Sequence, residues 1–372
     1  MALAPIPKPI ADLPWRVLWI VIALAAAGFL ALYSVAPGGG GSLMPYALPH
    51  AVRFGVFLAM AIGLSRFRPA TFSELAWLGY AGGMVLLVLT LLLGAIGGGA
   101  RSWLELGIIR IQPSELMKPI LVLVLARFYA HMPPRELNHW AAIWPAGVLI
   151  APAIVLILLQ PDLGTASLIV LTTIALMFVA GLPLRLFIGG LVATAIAIPV
   201  GFSLLLPHQQ ERVLIFLNPE QDPLGSGYHI TQSMIAIGSG GLFGRGYLNG
   251  TQASGHFLPA PHTDFIFAAI AEEWGLIGGL VLIALFFLLL RWGMKVSLDA
   301  KGRFERLAGA GLTLTIFFYI AINLMMVMGL APVVGIPLPL VSYGGSAMLT
   351  VMICIGLLMA IDRQNRRDVR KT

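Results

Sequence analysis

Ten apolar runs recur along the chain, separated by polar segments, and each is read as a membrane span. Their approximate cores are Val17 to Ala36, Ala51 to Leu64, Ala76 to Ile96, Leu116 to Tyr129, Ala141 to Leu159, Gly164 to Leu182, Phe187 to Leu206, Phe265 to Leu290, Leu307 to Gly329 and Gly345 to Ile361. A helix needs about 20 residues to cross roughly 30 Å of hydrocarbon. The second and fourth runs fall short, so their flanks, Pro49 with His50 and Ser114 with Glu115, are expected to be helical too. The pattern breaks between the seventh and eighth runs, where Pro207 to His262 spans 56 residues. Connections of that length are functional or disordered. Leu214, Phe216, Leu217, Ile230, Met234, Ile235, Ile237 and Leu242 make this one too apolar for disorder, so it is expected to fold on the membrane surface as short helices and turns. The expected fold class is an all-α polytopic membrane protein of about ten transmembrane helices, with residues 1–372 as a single integral membrane domain and 207–262 a large extracytoplasmic loop between helices 7 and 8.

Composition supports the same class: 59% of residues are hydrophobic, 10% are charged, and the mean hydropathy is +0.92. Charge then orients the spans. With the N-terminus inside, Lys8, Arg16, Arg66, Arg68, Arg127, Arg135, Arg185, Arg291, Lys295, Lys301, Arg303, Arg306, Arg363, Arg366, Arg367, Arg370 and Lys371 all lie on the cytoplasmic side, close to span ends, as the positive-inside bias requires. An even number of spans puts both termini there. The net charge of +7 is thereby explained without a nucleic-acid partner. Ser34-Val35-Ala36 has the small residues of a signal-peptide cleavage site, but the first apolar run is too long for a cleaved signal and reads as an uncleaved anchor. Cys354 is the only cysteine, which excludes an intrachain disulfide and favours core packing.

No G-x-x-x-x-G-K-[ST] loop occurs, which argues against a built-in nucleotide motor. The glycine-rich stretch Gly238 to Gly246 lacks the strand-then-helix setting of a dinucleotide fingerprint; tight turns are its expected role, with close backbone approach to a ligand as the alternative. Ionisable groups inside spans are costly and mark functional sites. Glu115 and Lys118, three residues apart, share a helix face and are expected to pair, either as part of the site or as a staple between helices. Asp162, in Gln160-Pro161-Asp162-Leu163-Gly164-Thr165, is either a site residue or the N-cap of the sixth span. Arg53 is expected to snorkel to the outer headgroups, without a chemical role. Asp264 stands where the loop meets the apolar eighth span, a setting that raises a carboxylate's proton affinity and suits a general base; capping by Thr263 or Asp264 is the alternative. Of Glu272 and Glu273, Glu272 falls on the side of Asp264, and Glu273 is expected to face another helix.

The motifs Ile111-Gln112-Pro113-Ser114-Glu115-Leu116-Met117-Lys118, Gln160 to Thr165, Asp222-Pro223-Leu224-Gly225-Ser226-Gly227-Tyr228-His229, Gly246 to Gln252, His262-Thr263-Asp264-Phe265-Ile266-Phe267 and Pro337 to Gly345 run in order over about 230 residues. In these the chain resembles the SEDS family (shape, elongation, division and sporulation), and within it the RodA branch more closely than the FtsW branch. The resemblance implies a peptidoglycan glycosyltransferase of the bacterial inner membrane. Such an enzyme polymerises lipid II into β-1,4-linked glycan strands on the outer face during cell elongation. The family's catalytic aspartate maps onto Asp264, which would deprotonate the acceptor hydroxyl for inverting attack on the donor's anomeric carbon. Arg212, Lys118 and Arg245 would stabilise the departing diphosphate. Asp162, Ser342, Tyr343 and Gly344 fall in the family's motifs as supporting or substrate-binding positions, beside Glu115. The resemblance also suggests a divalent cation, Mg²⁺ or Mn²⁺, for which no dedicated ligand set is readable. A class B penicillin-binding protein and other elongation-complex proteins are the implied partners. Two departures are visible. Ala260 stands where relatives often carry Glu, so no acid is available there, and Glu211 stands where they often carry Gln. The rival reading is a flippase for the same lipid-linked precursor, against which stand the absence of visible repeats and the gathering of acids toward one face. A noncatalytic scaffold is a third reading, weakened by the intramembrane Glu115 and Lys118.

Overall fold

The computed structural model describes residues 12–37, 41–97, 100–106, 109–138, 142–204, 210, 214, 226–254, 257–258 and 260–369. Helices α1 (Trp15–Ser34), α2 (Ala47–Leu64) and α3 (Pro69–Leu93) lead into strands β1 (Ala95–Gly97), β2 (Ala100–Leu106) and β3 (Ile109–Ile111). Helices α4 (Pro113–His131), α5 (Trp144–Leu158), α6 (Leu163–Ala180) and α7 (Leu184–Leu204) follow. After α8 (Ser226–Ser239) and α9 (Thr251–Ser254) come α10 (Ile266–Leu298), α11 (Arg303–Val327) and α12 (Gly345–Val369). Each of the ten expected spans is a helix. Seven are long and apolar enough to cross a membrane by themselves: α1, α2, α3, α6, α10, α11 and α12. The other three, α4, α5 and α7, carry polar residues or shorter apolar stretches.

Local chemistry sets the boundaries. Proline at the first turn, where its missing N–H costs nothing, starts α3 and α4, so α4 begins at Pro113 and takes Ser114 and Glu115 into its first turn. Glu115 is also favoured there by the positive end of the helix dipole. Helix α6 is capped by Asp162, whose carboxylate accepts from Thr165 N at 2.9 Å, and ends at Gly181 in the left-handed region, φ +100°.

Among the described residues the fold departs from the all-α expectation in one place. The third run stops being helical at Leu93, and β1, β2 and β3 form a small antiparallel sheet in that order. This hairpin stands beside the N-terminus of α4 and, as shown below, closes one side of the site.

Helix α11 is the hub, packed against α4, α6, α10 and α12, while α12 also lies along α2. Small residues allow these approaches, as is usual where lipid gives helices no hydrophobic drive to associate. A Cβ at Gly311 would stand 2.6 Å from Val122, and one at Gly28 would stand 2.6 Å from the Val341 carbonyl oxygen. Large apolar side chains such as Trp19, Leu92, Leu191, Ile196 and Phe287 point outward, a surface suited to lipid.

Candidate active site

Helix α2, the β2–β3 hairpin, the starts of α4, α6 and α10, Tyr319 of α11, residues 335–337 and the start of α12 enclose a cavity of about 860 Å³. Asp264, Glu115 and Asp162 reach it, with Arg53 and Arg110 as its cations. Val52 and Val56 line it too, and both are exposed on the outer face of α2. The cavity therefore runs from a polar end onto the lipid-facing surface.

Asp264 is positioned through its backbone. Asn323 on α11 donates from Nδ2 to the Asp264 carbonyl at 2.9 Å and to the Ile336 carbonyl at 2.7 Å. The Ser342 hydroxyl donates to the Thr263 carbonyl at 2.6 Å and accepts from Leu338 N at 2.8 Å. Tyr343 N donates to the His262 carbonyl at 2.8 Å. Three successive carbonyls are thus held by α11 and the segment before α12, leaving the Asp264 side chain free. Its carboxylate has no hydrogen-bond partner among the described residues, and burial pushes its pKa up to about 6. The capping alternative is not realised: Phe265 occupies the N-cap without a side-chain capping bond, and the Thr263 hydroxyl donates back to the Ala260 carbonyl at 3.3 Å.

Glu115 and Lys118 pair as their spacing predicts, with Lys118 Nζ 2.5 Å from Glu115 Oε1, both buried. Their third member is not among the residues singled out above. The Tyr319 hydroxyl, fully buried on α11, accepts from Lys118 Nζ at 2.6 Å and donates to Glu115. Tyr319 and Asn323, four residues apart, share the inner face of α11, and their isolated polarity in an apolar span was the available signal.

The remaining candidates divide. Asp162 is both the cap of α6 and a wall of the cavity, its second oxygen accepting from Gln112 Nε2 at 2.9 Å and Ser114 Oγ at 3.4 Å. Tyr343 and Gly344 line the cavity; Ser342 works behind them on the Thr263 backbone. Lys118 stays behind Glu115, buried, and does not line the cavity, which leaves it poorly placed for a diphosphate. Arg245 is a correction of a larger kind. Its Nη1 donates to Thr251 Oγ1 at 2.6 Å and its Nε lies 4.0 Å from Glu272, away from the cavity, because its loop packs on α10 at Glu272 and Glu273. Arg212 and the Asp222 to Gly225 part of its motif lie outside the described residues. Glu273 accepts from Ser34 on α1, as expected of a residue facing another helix. Glu272 does not face the cavity.

Arg53 is the opposite correction. Rather than snorkelling to headgroups, it turns inward, its guanidinium 4.7 Å from the centre of the Tyr343 ring. Tyr343 in turn meets Tyr46 edge-on, and Tyr46 stacks on His262 at 4.2 Å. The Arg53 side chain also passes over Gly345, where a Cβ would stand 3.5 to 3.7 Å from it, an ordinary contact. Arg110, exposed and ion-paired with Glu105, brings a second guanidinium from the hairpin. Planar guanidinium forks suit phosphate oxygens better than a buried ammonium does.

Three comparisons with known proteins agree with this architecture. Residues 15–367 match the sequence model of the FtsW/RodA/SpoVE family, described as cell cycle proteins. The chain is 48% identical over 281 residues to the peptidoglycan glycosyltransferase MrdB of Escherichia coli (strain K12), covering 75% of each chain. It is 32% identical over 430 aligned positions to the peptidoglycan glycosyltransferase RodA of Treponema pallidum (strain Nichols), covering 95% of this chain and 98% of that one. Its fold resembles a chain of a peptidoglycan synthase complex solved for the coordination of polymerization and crosslinking, with TM-score 0.82 at 33% identity over 96% of this chain and 99% of that one. It also resembles the crystal structure of the rod shape determining protein RodA of Thermus thermophilus, with TM-score 0.70 at 30% identity over 95% and 97%. A match over residues 15–367, nearly the whole chain, means that this protein belongs to the FtsW/RodA/SpoVE family of SEDS proteins.

Proposed function

We propose that the protein is a peptidoglycan glycosyltransferase that polymerises lipid II into β-1,4-linked glycan strands, with bond formation in the Asp264 cavity. The observation that carries the reading is a free carboxylate at the polar end of a cavity whose other end opens along lipid-facing α2. A lipid-linked sugar fits such a space with its head at Asp264 and its chain against Val52 and Val56. Asp264 takes the proton of the acceptor hydroxyl while that oxygen attacks the donor's anomeric carbon from the face opposite the diphosphate. The new C–O bond forms, the bond to the phosphate oxygen breaks, and its electron pair leaves with the diphosphate. Arg53 and Arg110 face the charge that grows on that leaving group, a stabilisation that counts most away from bulk water.

A general base must be unprotonated to act, so the rate constant at low substrate should fall as pH drops through about 6, the value to which burial raises Asp264, rather than near 4. A pH–rate profile that stays flat from well below to well above that value would remove Asp264 from the chemistry.

The described residues do not form a ready cage for a divalent cation. No cluster of three or more carboxylate, histidine or cysteine groups occurs among the described residues. Asp162 and Glu115 are already engaged by donors within the protein. A Mg²⁺ or Mn²⁺ ion would therefore be carried mainly on the diphosphate oxygens, and no step above depends on it.

The distribution of basic residues supports a cytoplasmic-membrane location with both termini inside, and so an outward-facing cavity. A cysteine placed at Phe243, which is 79% exposed on the loop, should react with a membrane-impermeant maleimide in intact spheroplasts, whereas Cys354 is fully buried. Reaction only after lysis would invert the topology. The likeness to a chain of a synthase complex that coordinates polymerization with crosslinking supports a class B penicillin-binding protein as partner, with other elongation-complex proteins around it.

A further inference from the structure

Helix α10 is broken at Gly275, whose φ of 67° and ψ of −166° are far from helical. In an unbroken helix Leu276 N would donate to the Glu272 carbonyl and Ile277 N to the Glu273 carbonyl. Here residues 240–246 supply partners to all four of these groups. Leu276 N donates to the Gly241 carbonyl at 2.9 Å and Ile277 N to the Leu242 carbonyl at 3.2 Å. The orphaned Glu272 and Glu273 carbonyls accept from Arg245 N at 2.9 Å and Gly246 N at 3.1 Å. Backbone groups of a membrane-spanning helix must be satisfied within the protein, and here the loop does it.

Only glycines permit the contact: a Cβ at Gly240 would strike the Ala271 carbonyl, one at Gly244 the Glu273 carbonyl, and one at Gly275 the Gly244 nitrogen. The glycine-rich stretch, expected to supply turns, therefore makes a close backbone approach to a helix of its own chain.

The Glu272 side chain fastens the far end of the same loop. It is fully buried, and its carboxylate accepts from Thr251 N at 2.8 Å, Thr251 Oγ1 at 2.9 Å and Gln252 N at 3.1 Å. Arg245 completes the knot through Thr251 Oγ1 at 2.6 Å. Because α10 is broken at Gly275, residues 266–274 form a short helical segment of their own, with Asp264 just ahead of it.

We infer that Glu272 is a positioning residue for the reaction at Asp264: it locks residues 240–252 onto this segment, and so steadies from behind the helix that follows Asp264, whose own backbone is held by Asn323, Ser342 and Tyr343. The inference rests on the polymerase reading of the Asp264 site, and its test includes a measurement that does not. In the full-length protein, spin labels at Phe243→Cys and Ala260→Cys, both exposed, report the loop against the segment approaching Asp264. Their distance distribution should broaden in Glu272→Ala and stay narrow in Glu272→Gln, whose amide oxygen still accepts from Thr251 N. With labelled lipid II, Glu272→Ala should lower kcat by about 10- to 100-fold, the cost of a small misplacement of a reacting group. KM should stay within about twofold, and Glu272→Gln should restore about half of kcat or more. If Glu272→Ala does not accumulate, Thr251→Ala, which removes one bond of the knot, should show the same changes in weaker form. An unbroadened distribution, or Glu272→Gln as inactive as Glu272→Ala, overturns the positioning role. A parent protein with a narrow distribution but no polymer overturns the polymerase reading instead.

Discussion

Asp264→Asn is expected to abolish glycan synthesis while leaving the protein folded and membrane-inserted. The substitution keeps size and removes only the carboxylate's basicity. Structural losses should be small, because the position is held by its backbone carbonyl on Asn323 and its side chain caps nothing. The loss of a general base predicts a fall in polymerisation of about 10²- to 10⁴-fold. Asp264→Ala should be at least as inactive. Thermal melting of both variants should stay close to that of the parent, which separates chemistry from folding. A well-folded Asn variant that still makes strands at a rate near the parent's would end the base assignment.

The second large effect concerns Glu115, Lys118 and Tyr319. Lys118→Ala leaves Glu115 buried with the Tyr319 hydroxyl alone, and Glu115→Ala leaves the buried ammonium with that hydroxyl but no counter-charge, beside Leu121, Val122 and Leu125. Breaking a buried ion pair by removing one partner costs about 3 to 5 kcal/mol, whereas removing both partners can be nearly neutral. Either single substitution should therefore lower the melting temperature and accumulation severely, and the double Ala variant should lose less than the sum. Exchanging the two charges should recover folding more than activity, since it is Glu115 and Tyr319, not Lys118, that line the cavity. If both single variants melt and polymerise like the parent, the triad is peripheral.

Much of the architecture was legible because lipid forces a simple rule on the sequence: apolar runs become helices. The flanks counted into the second and fourth runs do belong to α2 and α4. The Glu115–Lys118 pair and the Asp162 cap were legible for the same reason, as local spacings on one helix or turn. What escaped was non-local. Tyr319 meets Glu115 across 204 positions of sequence and Asn323 meets Asp264 across 59, and no periodicity announces such pairs. Arg53 misled because a cation near a span end is equally able to reach headgroups or turn inward; the Tyr343 ring, distant in sequence, draws it in. The break at Gly275 was hidden inside an apolar run, since a single glycine in a helix is ordinarily tolerated and Gly278 and Gly279, close by in the same run, do not break it. Its partner loop, with φ +56° at Gly241 and +82° at Gly244, held the other half of the signal. The misplacement of Arg245 follows from that hidden break.

The central claim is that this cavity joins sugars rather than moving a lipid across the membrane. It is tested most directly by reconstituting the purified protein, with its transpeptidase partner, into vesicles that carry fluorescent lipid II on one leaflet. The account predicts polymer that muramidase digests to disaccharide units, made by the parent and absent with Asp264→Asn, while unreacted lipid II keeps its leaflet. Lipid II that changes leaflet without forming polymer, equally in parent and Asp264→Asn, would contradict it.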